Sequence, residues 1–122
     1  MTTTITRVIN AGGGGDFTTL QGAWDAISTL VGSFDLVAED TQVVFEVVAG
    51  TYTEDLNFAG SLTTDATRNV VFLAQSGSEH GGVSGAGVVV TNSSGRTLTV
   101  STDYTRIEGL EFTGDGDRTV FL

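Results

Sequence analysis

The 122-residue chain contains no cysteine, no proline, one histidine and only five lysine and arginine residues. Without cysteine, neither disulfide bonds nor thiol chemistry can contribute to the fold or to catalysis. Without proline, the turns must be built from Gly, Asn, Asp and Ser, each of which favours turns for its own physical reason. No apolar run approaches the roughly 20 residues that a membrane-spanning helix needs.

The scarcity of basic side chains leaves the chain strongly acidic. Fifteen Asp and Glu residues give a formal net charge of −10. Such a chain repels nucleic-acid phosphates and anionic membrane surfaces, so we expect neither as a partner. The charge favours solubility. Residues 1–7 include no apolar stretch like that of a signal peptide, and export by that route is not expected.

What the chain has in quantity is glycine and threonine. Seventeen glycines accompany a hydrophobic fraction of 39%, which is too high for a chain disordered by composition. The length suits a single domain over residues 1–122. Glycine and threonine together favour short strands joined by tight turns, so the composition predicts an all-β fold.

One segment has helical periodicity instead. Its apolar residues recur at helical spacing: Leu20, Ala23, Trp24, Ile27, Leu30 and Val31. They predict one amphipathic helix over 18–31, with Thr18 and Gln21 as a capping box and Gly32 as the stop. We expect Trp24, Ile27 and Leu30 to be buried, with Trp24 in the core. The four glycines at 12–15 lack the Lys and Ser/Thr of a phosphate-binding loop, which favours a permissive turn.

After residue 40 the pattern changes to short β-prone runs separated by Gly, Asn, Ser and Asp. Together with an N-terminal run, the predicted strands are 5–9, 43–47, 52–58, 70–74, 88–90, 97–100, 106–112 and 119–122. Val-Val-Phe at 43–45 recurs at 70–72, an offset typical of one solenoid coil. Periodicity alone also allows an antiparallel sandwich. The helix favours the solenoid, because a solenoid needs a cap over its first coil.

Two motifs resemble the opening of the pectin methylesterases and other pectin-lyase-like proteins. The segment 15–21, Gly-Asp-Phe-Thr-Thr-Leu-Gln, followed by Ala23 and Ala26, is similar to their entry signature. The segment 43–56 is similar to their apolar strand and the Gly-x-Tyr-x-Glu motif after it. Segments 69–74 and 104–113 match later strands in kind. The resemblance implies a right-handed parallel β-helix whose first coils are capped by the 18–31 helix. Phage tailspike and appendage proteins share this fold.

The same resemblance argues against catalysis by these residues. It implies that the family's catalytic Gln would fall in the strand at 118–122, where no Gln stands, and the catalytic Asp and Arg residues have no counterpart. We expect no catalytic, cofactor or metal site. The run at 119–122 has no polar cap after it, so we also expect that end to be covered by further coils or by a neighbouring subunit.

Four groups of polar residues are candidate sites. Asp115 and Asp117 flank a glycine, but two carboxylates fall short of the six to eight oxygens that calcium takes. His80 could polarise Ser78 or Ser84, although its Gly-rich loop is a poor platform for a triad. The carboxylate pairs Glu54/Asp55 and Glu108/Glu111 have opposite strand parity, which favours solvated or edge roles over glycosidase chemistry. Left-handed solenoid turns are expected at asparagines, namely Asn57, Asn69 and Asn92.

Two functions remain open on the sequence. The first is a non-catalytic structural or attachment module of a virion, such as a tailspike, fibre or capsid-associated protein. It would contact other copies of itself, other virion proteins or a polysaccharide, and such proteins can be homotrimers. The second is the N-terminal segment of a polysaccharide-active esterase or lyase. The first places the protein in the virion, or outside the cell after assembly.

Overall fold

The computed structural model describes residues 2–54, 56–58, 62–77, 87–91, 98–100, 104–113 and 119–121. These residues form two short helices, α1 (Leu20–Asp25) and α2 (Ile27–Val31), and ten strands. The strands are β1 (Thr3–Ile9), β2 (Thr41–Val47), β3 (Gly50–Thr53), β4 (Leu56–Phe58), β5 (Val70–Ala74), β6 (Val88–Thr91), β7 (Leu98–Val100), β8 (Thr105–Glu108), β9 (Leu110–Thr113) and β10 (Thr119–Phe121). The expectation of a mostly β chain is therefore confirmed.

The strands pair in three sheets. One has the order β1-β2-β5-β8, the second has the order β10-β9-β6-β3, and the third pairs β4 with β7. Every pairing is parallel except that of β9 with β10. Parallel pairing requires crossovers between partners, so an antiparallel sandwich is not the architecture of the described residues.

The prediction of a right-handed parallel β-helix is wrong. The described residues form short, separate sheets and show no closed coil. The pairing of Val43 with Val70 does match the recurring Val-Val-Phe. Neighbouring pairs do not keep that spacing, since β1 meets β2 38 positions later, at Thr3 and Thr41. The two copies of Val-Val-Phe therefore indicate one pair of adjacent strands and not a repeating coil.

The predicted helix over 18–31 is two helices. Ala26 separates them, with φ −90° and ψ −4°, although the apolar spacing continues without interruption. Thr19, and not Thr18, is the N-cap, and its hydroxyl accepts a hydrogen bond from the Gly22 amide at 3.1 Å. The stop at Gly32 is confirmed, because this residue has the left-handed φ of 86° that glycine tolerates. Without a closed coil there is no coil end to cover, and α1 packs on β4 instead.

The core is one cluster that joins both helices to the sheets. Trp24 is 5% exposed and stacks on Phe58, with ring centroids 4.7 Å apart. Phe58 stacks in turn on Phe72 at 4.7 Å, and Phe72 packs on Phe45 at 4.9 Å. The expectation of a buried Trp24 is confirmed, as it is for Ile27, whereas Leu30 is half-buried. Aromatic pairs at these distances add to the free energy gained by burying apolar area.

Candidate functional site

The N-terminus of α1 is held by the carboxylate of Glu54, which follows β3. Its two oxygens accept hydrogen bonds from the backbone amides of Leu20 at 2.8 Å and Gln21 at 3.0 Å. A negative charge at this end satisfies amides that have no partner within the helix and opposes the positive end of the helix dipole. Glu54 therefore joins α1 to the end of β3.

The Gln21 side chain makes a second link between α1 and the sheets. Its amide oxygen accepts from the backbone N–H of Asn57 at 2.8 Å, and its amide nitrogen donates to the Asn57 carbonyl at 3.2 Å. Gln21 thus pairs with the edge of β4 as a neighbouring strand would. It does not complete the capping box that the sequence predicts. Asn57 lies in this strand and not at a left-handed turn, contrary to expectation.

An arginine clamp, formed by Arg68 with Asp40 and Asp65, joins the turn before β2 to the turn before β5. Arg68 donates through Nε to Asp40 at 2.7 Å and through Nη1 to Asp65 at 2.8 Å. Asp65 also accepts from the backbone amides of Arg68 and Thr67, and these bonds lower the pKa of Asp65 to about 2. The bond from Arg68, with a further one from Thr2, lowers the pKa of Asp40. Asp40 has a positive φ of 52°, so the clamp helps to hold a backbone conformation that non-glycine residues rarely adopt.

The hydroxyl of Tyr52 connects the loop after β1 to the end of β2. It accepts from the Ala11 amide at 3.2 Å and lies 2.8 Å from the Val48 carbonyl, to which it can donate. Burial raises the pKa of Tyr52, against the opposing effect of the Ala11 hydrogen bond. A buried phenol whose hydroxyl makes hydrogen bonds to two backbone segments is positioned to hold them together.

The second pair of candidate carboxylates is divided between two strands of different sheets, β8 and β9, and not by parity within one strand. Glu108 is exposed and forms an ion pair with Arg106 on the same strand. Glu111 is 1% exposed, so the expectation of a solvated or edge position is wrong for this residue. The pair does not share a cleft, because one side chain is buried and the other faces solvent. No glycosidase geometry is formed by them.

The asparagine expected at a turn before β5 is buried instead. Asn69 is 3% exposed, accepts from the Gln42 side chain at 3.0 Å and donates to the Ala66 carbonyl at 3.2 Å. Its φ is not positive; the non-glycine residues described with positive φ are Asp40 and Tyr104. The remaining candidates lie outside the described residues: Asp55, Ser78, His80, Ser84, Asn92, Asp115 and Asp117.

One depression on the described surface is smaller than an ordinary ligand pocket. A depression of about 200 Å³ is lined by Leu73, Ala74, Glu108 and Gly109, which is below the roughly 300–1,000 Å³ of ordinary ligand pockets. Among the residues with described burial, the exposed large apolar side chains are Phe34 and Tyr104, at 58% and 56%. Among the residues with described placement, no three His, Cys, Asp or Glu side chains group as metal ligands. Nor does any helix of the described ranges have the length and apolar character to cross a membrane.

Sequence reasoning missed the two contacts that organise these polar side chains. Glu54 and Leu20 are 34 positions apart, and no local pattern marks a helix cap supplied from that distance. The Asp65 turn did carry a signal, because an Asp three residues before Arg68 can accept backbone amides in a tight turn. The partner Asp40, from another turn, carried none.

No known protein family, curated protein or solved structure matches this chain. The resemblance to the pectin-lyase-like proteins therefore depends on the quoted motifs alone.

Proposed function

We propose that this chain is a non-catalytic structural module that contributes β-structure to a larger assembly, as in a virion appendage or a capsid-associated protein. The observation that carries the proposal is the use of its acidic side chains. Among the described residues, six acidic side chains bind backbone amides or arginines of the chain itself: Asp16, Asp35, Asp40, Glu54, Asp65 and Glu108. A general acid or base must instead reach the proton of a substrate.

The number of hydrogen bonds that these carboxylates accept also favours a structural role over a catalytic one. Glu54 uses both oxygens on amides of α1, at 2.8 Å and 3.0 Å. Asp65 accepts from two backbone amides and an arginine, so both of its oxygens are bound by groups of the chain itself. These are the properties of groups that stabilise turns and helix ends.

The kind of assembly in which the module works is proposed from the sequence resemblance and not from the contacts of the carboxylates. Similarity to proteins that include phage tailspikes, together with β-prone strands of low charge, supports attachment to other copies or to other virion proteins. The same resemblance also supports a polysaccharide as a partner.

Activity assays separate this proposal from the esterase or lyase alternative. The purified chain is incubated with methylated and with unmethylated polygalacturonate, and methanol release and chain cleavage are measured. We expect no turnover above a heat-treated sample. Turnover that is lost on heating would overturn the proposal. Glu54→Gln in the same assays then serves as a check, since we expect it to change stability and leave the assays at background.

A further inference from the structure

The outer edge of β1 ends the first sheet, and such edges invite pairing with another chain. β2 lies on one side of β1, and along the other side no described strand pairs with residues 3–7. The strand sequence, Thr-Thr-Ile-Thr-Arg-Val-Ile, is β-prone and includes one charge. The net charge of −10 gives limited protection here, because physiological salt screens charges beyond roughly 8 Å.

The C-terminal half of this edge is covered by residues 16 and 17. The Val8 carbonyl accepts from the amides of Asp16 at 2.8 Å and Phe17 at 3.1 Å. The Val8 amide donates to the Asp16 carboxylate at 2.9 Å, and the Asn10 amide donates to the Phe17 carbonyl at 2.8 Å. Both outward backbone groups of Val8 are therefore occupied.

Arg7 covers the next outward group along the edge. Its guanidinium donates from Nη1 to the Thr6 carbonyl at 2.9 Å. The register places Arg7 beside Phe45, in the row of β2 that faces the core. A charge on the inward row of an edge strand resists pairing, because a second strand over this edge would bury it. Arg7 thus occupies a backbone acceptor and adds a charge that is costly to bury.

Gly15 allows the covering segment to approach this closely. A Cβ at this position would lie 2.9 Å from the Val8 carbonyl oxygen and 3.2 Å from its Cγ1. The backbone oxygen cannot move aside without disturbing β1. Gly12, in the same glycine run, would place a Cβ 3.5 Å from the Asn10 side chain, which is an ordinary contact.

We propose that Arg7 and residues 15–17 form an edge guard, which keeps the outer edge of β1 from pairing with the β1 of a second copy. The edge guard goes beyond the proposed function, since it closes this edge of the module to self-association. It holds whether the parent chain is a monomer or associates through another surface.

Cross-linking at β1 tests the guard, because the chain has no cysteine of its own. Thr4→Cys places a single thiol at an exposed position of this strand. It is combined with Arg7→Thr and Gly15→Ala, which together remove the charge and displace the covering segment. Matched controls carry Thr4→Cys with Arg7→Thr and Gly12→Ala, or with Arg7→Lys, which keeps the charge and a donor for the Thr6 carbonyl. Each protein is treated with a short bismaleimide, and covalent dimer is measured.

We expect several-fold more dimer from the Arg7→Thr/Gly15→Ala protein than from the Gly12→Ala control, and the least from the Arg7→Lys protein. Far-ultraviolet circular dichroism and the urea midpoint show whether each protein is folded. Should the Gly15→Ala protein fail to fold, Arg7→Thr with Thr4→Cys is compared with Arg7→Lys, and more dimer is still expected. Equal dimer yields in folded proteins would overturn the edge guard.

Discussion

At the scale of single residues, two polar side chains of the candidate site bind backbone that is far away in the sequence. Glu54 binds two amides of α1 from the end of β3, and Gln21 returns the link by pairing with Asn57. Each contact joins segments more than thirty positions apart. Losing one of them should loosen the attachment of α1 to the sheets, since α1 has only six residues of its own.

Glu54→Gln should lower the free energy of unfolding by about 1–2 kcal/mol, the range for losing a charged cap at a helix N-terminus. The amide keeps one acceptor but loses the charge and the second acceptor. Urea denaturation followed by circular dichroism measures the change. Glu108→Gln is the control, because Glu108 is exposed and its ion pair with Arg106 lies along one strand. Equal midpoints for the two variants would contradict the capping role.

The hydrogen bonds that Asp65 accepts should make stability depend on pH in the acid range. The pKa of Asp65 falls from 3.8 to about 2 on folding, chiefly through the Arg68 and Thr67 amides. A lowered carboxyl pKa stabilises the fold above pH 3.8, and this contribution is lost as the pH falls toward about 2. Asp65→Asn should therefore reduce stability at neutral pH and weaken its loss between these values. Urea midpoints from pH 6 to pH 2 measure both effects, with Asp25→Asn as an exposed control. If the urea midpoint of Asp65→Asn falls with acid as steeply as that of the parent, the hydrogen bonds of Asp65 are not the cause.

At the scale of elements, the sequence predicted those strands well whose bounds are determined by the local pattern of apolar and polar residues. β5 has the predicted bounds 70–74, and β2 alternates buried and half-buried residues as expected of a strand with one face in the core. The predicted strands 52–58 and 106–112 are each two strands. The first is interrupted after Thr53, beside Glu54, whose side chain caps α1 while its amide still donates to the Thr91 carbonyl. The second breaks at Gly109, which has φ 77°. A cap supplied from a distance leaves no mark in local periodicity.

The helices also show that local periodicity does not predict where an element breaks. Apolar spacing continued from Leu20 to Val31, so it could not report the break at Ala26. The local signal at Gly32 was sufficient, because a left-handed C-cap is a property of one residue. Of the candidate site, the core position of Trp24 was predictable, whereas the parity of Glu108 and Glu111 was not, because the break at Gly109 places them on strands of different sheets. The burial of Glu111 was not predictable either, since it depends on packing from other elements.

Gly32 gives a clean measurement of backbone strain at a helix end. Its φ is 86°, and a Cβ added there meets no atom within 4 Å. Gly32→Ala should therefore destabilise the fold by about 1–2 kcal/mol through conformation alone. Gly32→Asn should lose less, because asparagine tolerates the left-handed region better. Urea midpoints of the two variants give the comparison. An alanine variant as stable as the parent would mean that the end of α2 rearranges freely.

At the scale of the whole molecule, one cluster holds the sheets and helices together. Buried residues from β1, β2, β3, β4, β5, β6, β9 and both helices belong to it. The separate sheets therefore share a core, although their hydrogen bonds do not join them. Cooperative unfolding is expected of such an arrangement, because no sheet keeps its apolar face buried without the others.

Trp24 is the residue on which this shared core can be tested. It contacts Phe58 of β4 and Phe72 of β5, so its ring links α1 to two different sheets. Trp24→Ala should lower the free energy of unfolding by about 3–5 kcal/mol, as a core truncation that leaves a cavity. Trp24→Phe keeps a ring against Phe58 and should lose clearly less. Far-ultraviolet circular dichroism in urea measures the stability, and amide exchange in β2, β4 and β5 reports whether they open together. Loss of protection in β4 alone, with β2 and β5 unchanged, would mean that the sheets are stabilised separately and that Trp24 does not couple them.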